Sequence, residues 1–149
     1  MRRVAFTFLS IAVITIAELS TIAHGAAATD SDGMTSLNVV TEARRWIGTN
    51  PTSLNRLWCA RFMNFVLNRV GYRGTGSDLA RSFASYGRRV GGPQVGAIAV
   101  MTRGGNGGHV GVVSGIDQNG NPVIISGNHN HRVGEGVYRR ERIYAYVVP

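Results

Sequence analysis

The sequence predicts an α+β fold, with N-terminal helices packed on a C-terminal antiparallel β-sheet. Three observations predict it. Apolar residues recur at helical spacing through the first half of the chain; short apolar runs punctuated by turn residues fill the second half; and Gly91-Gly92-Pro93 breaks the chain between them. Helices first and strands second means that the two layers are segregated.

Residues 1–26 read as an export signal ahead of this fold. Arg2-Arg3 form a positive start, Val4 to Ala17 an apolar stretch, and small residues follow around Ala23 and Ala26-Ala27-Ala28. Glu18 and His24 interrupt the run, which favours a cleaved signal over a retained anchor. The expected location is therefore periplasmic or secreted. Residues 27–34 read as a polar linker, and 35–149 as one domain.

The first expected helix is capped at Thr35 or Ser36. It places Leu37, Val40, Ala43 and Ile47 on one face and ends at Gly48. The second carries Cys59, Phe62, Met63, Val66, Leu67 and Val70 on one face and stops at Gly71. A shorter helix is expected from Ser77 to Tyr86, with Ala80, Phe83 and Ala84 inward. Five strands follow: Ala97–Met101, His109–Ser114, Pro122–Ser126, Val133–Tyr138 and Ile143–Val148. Arg103–Gly108 reads as a glycine-rich loop, and Asn119-Gly120 as a hairpin turn.

That turn carries a geometric expectation. If its flanking strands pair antiparallel, partner positions sum to roughly 236–239, and His109 lies opposite the stretch Gly127 to Asn130.

Composition narrows the function classes. The chain has 149 residues, 44% hydrophobic and 16% charged, which excludes wholesale disorder. A single Cys excludes an internal disulfide and a Cys-rich zinc site. The 16 basic residues are all Arg and the net charge is +8, which favours acidic partners: nucleic acid, an anionic membrane surface or a wall polymer. The arginines are dispersed and the chain reads as exported, which argues against nucleic acid.

Three polar residues make a candidate site. Cys59 falls in the first turn of the second helix, where unpaired N–H groups and the positive dipole end favour a thiolate. His109 can act as a base, and Asn128 can hold one imidazole tautomer. Other readings compete. Cys59 also continues the apolar face and reads as a buried small hydrophobe. His109 reads as a strand-edge histidine and Asn128 as a turn residue.

The motifs resemble a known group. Trp58-Cys59-Ala60-Arg61-Phe62-Met63-Asn64-Phe65-Val66-Leu67 resembles the W-C-A-x-F-V-N-W-V-L helix of CHAP-type proteins, within the NlpC/P60-like cysteine peptidases. Gly74-Thr75-Gly76-Ser77 with Ala80-Arg81-Ser82-Phe83 is similar to the G-T-G-S…A-R-S-W stretch of a bacterial and phage subfamily. Val95 to Val100 resembles the P-G-D-I-x-V strand, Gly108 to Val113 the G-H-V-G-F-V strand, and Gly127-Asn128 the G-G-N that closes it. The resemblance spans roughly residues 38–147.

This resemblance implies a papain-like core and hydrolysis of peptidoglycan amide bonds, within stem peptides or between sugar and first residue. It implies Cys59 as nucleophile, His109 as base and Asn128 as orienting residue, with no cofactor and no metal. Peptidoglycan is the implied partner, and a monomer is expected. Two positions depart from the pattern: Ala97 stands where the motif has an acid, and His129 where it has Gln. His129 and His131 flank the site and stand to alter its pH response.

Two other classes remain open. A metal site can draw on Cys59, His109, His129 and His131, although His129-Asn130-His131 matches no standard ligand spacing. A non-catalytic wall-binding module of the same fold also fits a basic, exported chain.

Overall fold

Two helices and a short 3-10 helix precede most of a six-stranded antiparallel sheet in the computed structural model, which describes residues 27–104 and 108–149. The expected export signal and residues 105–107 of the glycine-rich loop lie outside the described residues. No helix among the described residues is long and apolar enough to cross a membrane.

Helix α1 (Ala27–Arg44) runs through the segment expected as a linker. Its inward positions are Val39, Val40 and Ala43, whereas Leu37 is more than half exposed, so the expected face is rotated. Ile47 lies beyond the helix and makes a parallel bridge to Val133. Helix α2 (Cys59–Arg69) presents the expected face, with Cys59, Phe62, Met63, Val66 and Leu67 buried. Each large apolar side chain buried there contributes roughly 1.5–3 kcal/mol relative to exposure.

A carboxylate ties the two helices together. Glu42 is buried and accepts hydrogen bonds from Trp46 Nε1 (3.0 Å), Arg45 (3.4 Å) and Arg69. Burial alone raises its pKa, but the Trp46 and Arg69 hydrogen bonds and the nearby arginine charges outweigh burial and hold it low. Trp46 also meets Phe65 edge-on at 4.9 Å.

The expected third helix is only a 3-10 turn, Ala80–Ser85. Local side chains compete with a full helix: the Leu79 N–H binds Ser77 Oγ, and Ser82 Oγ donates to the Leu79 carbonyl. Ala80 and Phe83 still point inward.

The strands are β1 (Arg88–Val90), β2 (Ile98–Thr102), β3 (Gly108–Ile116), β4 (Pro122–His129), β5 (Arg132–Val137) and β6 (Ile143–Val148). Their order is β1-β6-β2-β3-β4-β5. Strands β2 to β5 form the expected meander, while β6 returns to pair with β2. The three-residue β1, lying just before the glycine-proline break, has too short a pattern to be read from sequence.

Both faces of the sheet are apolar. Ile98, Val100, Val110, Val112, Ile125 and Val147 pack with the helices, while Ala99, Met101, Val113, Ile124 and Tyr146 form a second cluster. This explains why β2 and β6 read as continuous apolar runs rather than alternating ones.

The β3–β4 hairpin has the expected register, pairing Val112 with Ile125 and Val113 with Ile124. The turn spans Asp117 to Asn121, with Asp117 Oδ1 accepting the N–H groups of Asn119 (2.9 Å) and Asn121 (2.7 Å).

Candidate active site

Cys59 opens α2, which packs on β3 and β4. The N–H groups of Val110, Ala60 and Cys59 lie near enough to the thiol to favour its charged form. The cap position, Trp58, supplies no side-chain acceptor, so these helix-terminal donors remain available to sulfur. Leu57, just before it, has φ 57° and is exposed, a strained conformation for such a residue.

The thiol itself departs from expectation. Burial pushes the Cys59 thiol up, and the N–H groups of Val110, Ala60 and Cys59 together with the Arg103 charge offset only part of this. The depressed pKa expected at a helix N-terminus is absent because the sulfur is 4% exposed and poorly solvated.

His109 is brought beside Cys59 by the chain rather than by a side-chain contact. Val110, whose N–H lies near the thiol, is the next residue. Alternation along β3 turns Val110 and Val112 toward α2, and His109 with Gly111 and Val113 toward the other face. The imidazole Nε2 lies 3.0 Å from Ser126 Oγ and 3.4 Å from Tyr138 Oη. The Tyr138 ring stacks on the imidazole at 5.9 Å. Nδ1 is buried and has no hydrogen-bond partner among the described residues.

Burial pushes His109 down to about 4, aided by the charges of Arg103, His129 and Arg142. Burial disfavours the charged form of both groups.

Asn128 is placed near the histidine but does not bind it. Its side chain makes no hydrogen bond to His109 among the described residues, and Nε2 instead lies 3.0 Å from Ser126 Oγ. The cause is local. Asn128 has φ 58°, and the β4–β5 register breaks between Ser126 and His129. The strand bends just where the pairing rule was extended to reach Asn128. Asn130 (φ 52°) and His131 (φ 63°) then form a two-residue hairpin turn with both φ values positive. His131 stands where such turns favour glycine, which leaves strain beside the site.

Ser126 on β4 reaches His109 because Gly111, two residues further along β3, has no side chain to block it. A Cβ on Gly111 would fall 2.8 Å from Ser126 Cβ and 2.5 Å from the Ile125 carbonyl. Sequence reasoning missed Ser126, Tyr138 and Arg103. The signal for Ser126 was present: the register that sets position 109 across from 128 makes 126 its diagonal neighbour on the same face.

Two cavities adjoin here. One of about 570 Å³ is lined by Arg56, Leu57, Arg103, Asn128, Asn130 and His131. The other, about 220 Å³, includes Arg103, His109, Asn128, His129, Tyr138 and Arg142. His129 Nδ1 is 3.1 Å from Tyr138 Oη, and His131 Nδ1 is 3.3 Å from the Asn55 carbonyl. The four metal-competent side chains do not converge: among the described residues no three His, Cys, Asp or Glu are grouped to hold an ion.

A family model for the CHAP domain matches residues 50–128, more than half of the chain. The match includes Cys59, His109 and Asn128 and stops before His129, Tyr138 and Arg142. No curated protein matches the chain.

Proposed function

This chain belongs to the CHAP-domain family, a family of peptidoglycan amidases and peptidases, and on that premise we propose that it is an exported thiol hydrolase. Its substrate is an amide bond of peptidoglycan, either within the stem peptide or between the sugar and its first residue. The observation that carries this reading is Cys59 at the start of a helix packed on β3, with its thiol near the Val110 amide, one residue from His109.

In this reading His109 is the base. Nε2 is committed to Ser126, so Nδ1 is the nitrogen left to take the thiol proton. Sulfur then attacks the carbonyl carbon, and helix-terminal N–H groups stabilise the oxyanion. The imidazolium gives its proton to the departing amine as the C–N bond breaks. His109 next takes a proton from water, whose oxygen attacks the thioester, and the released thiolate is reprotonated. Because β3 turns the imidazole away from the α2 face, proton transfer requires the His109 side chain to leave Ser126 and swing toward Sγ when substrate binds. No cofactor takes part.

Ser126 is the positioning residue, and Asn128 faces substrate. Ser126→Ala is expected to lower kcat about 10- to 100-fold with little change in KM, and Ser126→Thr to recover part of the loss. Asn128→Ala should chiefly raise KM. A larger kcat loss in Asn128→Ala than in Ser126→Ala would return the orienting role to Asn128.

A second reading, a wall-binding module without catalysis, is favoured by one feature: the thiol and the imidazole share no hydrogen bond. Mass spectrometry of peptidoglycan digested by the full chain and by Cys59→Ala separates the two. New amine and carboxyl ends made only by the wild type support the hydrolase, and their masses identify the bond. Wall binding with no products from several wall types, the protein being folded and its thiol reduced, supports the module.

A further inference from the structure

The cleft beside His109 is cationic in a way that catalysis does not require. Arg56 and Arg103 line the larger cavity, and Arg103 and Arg142 the smaller. No Asp or Glu lines either one. Among the described residues, none of these three arginines is in an ion pair; Arg73, Arg81, Arg88, Arg89 and Arg132 share that state but line neither cavity. Arg142 spends one N–H on the Thr102 carbonyl at 3.3 Å. Arg103 sits at the junction of the two cavities.

Leaving cations together and unpaired carries a repulsive cost that a bound anion removes. The remaining polar lining, Asn128, Asn130 and His131, offers hydrogen-bonding groups of the kind that fix a peptide backbone. We propose that Arg103, supported by Arg56 and Arg142, forms a subsite for a free carboxylate of the peptide substrate, so that this protein selects stem peptides with an unmodified acid over those in which it is a carboxamide. The inference rests on the proposed hydrolysis of peptidoglycan and narrows its substrate class.

Substrate charge then feeds back on the chemistry. The Arg103 charge opposes a proton on His109 in the empty site. A carboxylate docked on Arg103 cancels much of that field, so the imidazolium that must form during attack is disfavoured less. An amidated peptide leaves the field in place. The subsite accordingly acts on both binding and turnover, and Arg103 is a specificity-determining residue rather than a member of the nucleophile–base pair.

The test uses two fluorescent stem peptides that differ only in carrying a free acid or its primary amide. Binding to full-length Cys59→Ala reads the subsite without turnover. The acid is expected to bind about tenfold or more tightly than the amide, with the preference weakened by salt. Arg103→Gln in the same background should bring the ratio close to one. Equal binding of the two peptides, binding of neither, or a preference that survives Arg103→Gln overturns the subsite. Cleavage by the wild type is measured in parallel. Cleavage of both peptides at equal rates with equal binding leaves the hydrolase standing without the subsite. An acid preference in Cys59→Ala with no cleavage by the wild type leaves the subsite standing without the hydrolase.

Discussion

His109→Gln is expected to lower kcat/KM by about 10⁴-fold or more while making the protein less sensitive to acid. The two effects come from one environment. Gln keeps a polar group near Ser126 Oγ but cannot accept the thiol proton. With the thiol pushed up by burial, almost no thiolate forms without a base, so the loss approaches that of removing the nucleophile. A loss below about 100-fold assigns proton transfer to another group. The kcat/KM profile of the wild type should fall on its acid side with an apparent pKa near 4, not near 6.5, and stay flat through neutrality. An acid limb between 6 and 7 would show that the thiolate–imidazolium pair already exists in the free enzyme.

The stability effect follows from the same shift. The pKa of His109 is 6.5 when unfolded and about 4 when folded. Between those values the unfolded chain binds the extra proton, so stability falls as pH drops from 6.5 toward 4. Each pKa unit corresponds to about 1.4 kcal/mol, giving a loss of about 3 kcal/mol across that window. Glu42 and Glu135, both held low by their partners, lose their contributions at still lower pH, and do so equally in the variant. Urea unfolding at pH 7 and pH 4 isolates the His109 part as the difference between wild type and His109→Gln. Equal pH dependence in the two proteins contradicts a buried neutral imidazole.

Much of this arrangement is legible in the sequence, and what is not has physical causes. The α2 face was readable because six apolar positions repeat at one period and Gly71 stops the helix. The β3–β4 register was readable because a turn fixes pairing over the residues next to it. Extending it to Asn128 failed to predict a contact because three of the four residues from Asn128 to His131 take positive φ, which pairing rules do not foresee. The thiol pKa was misjudged because a helix N-terminus is visible in sequence and burial is not. Tyr138 lies 29 positions from His109 and reaches it only through the β4–β5 pairing, so no local pattern could expose it. Arg103 borders a glycine-rich stretch whose sequence says nothing of which cavity it lines.

Gly127→Ala should test whether the helix end and the sheet are locked together. Gly127 sits on β4 beneath the start of α2, and an added Cβ would lie 2.6 Å from Phe62 Cβ and 2.7 Å from the Trp58 ring. Both neighbours are fully buried and have no room to retreat. The backbone there is not in a positive-φ conformation, so the penalty is steric alone. Overpacking of this kind costs roughly 1–3 kcal/mol, against about 0.4–1 kcal/mol returned by the stiffer unfolded chain. The clash wins, and a net loss of about 1 kcal/mol is expected from urea unfolding. Activity should fall further than stability explains. Trp58 immediately precedes Cys59, and a displacement of about 1 Å at the nucleophile can cost about 100-fold in rate. Trp58→Leu removes the ring atoms that the methyl meets, so the double variant should be less destabilised than the two single losses added together. A Gly127→Ala protein with unchanged midpoint and full activity would mean that α2 can lift from the sheet without moving the thiol, and that the Val110 amide rather than the Trp58–Gly127 contact holds Cys59 in place.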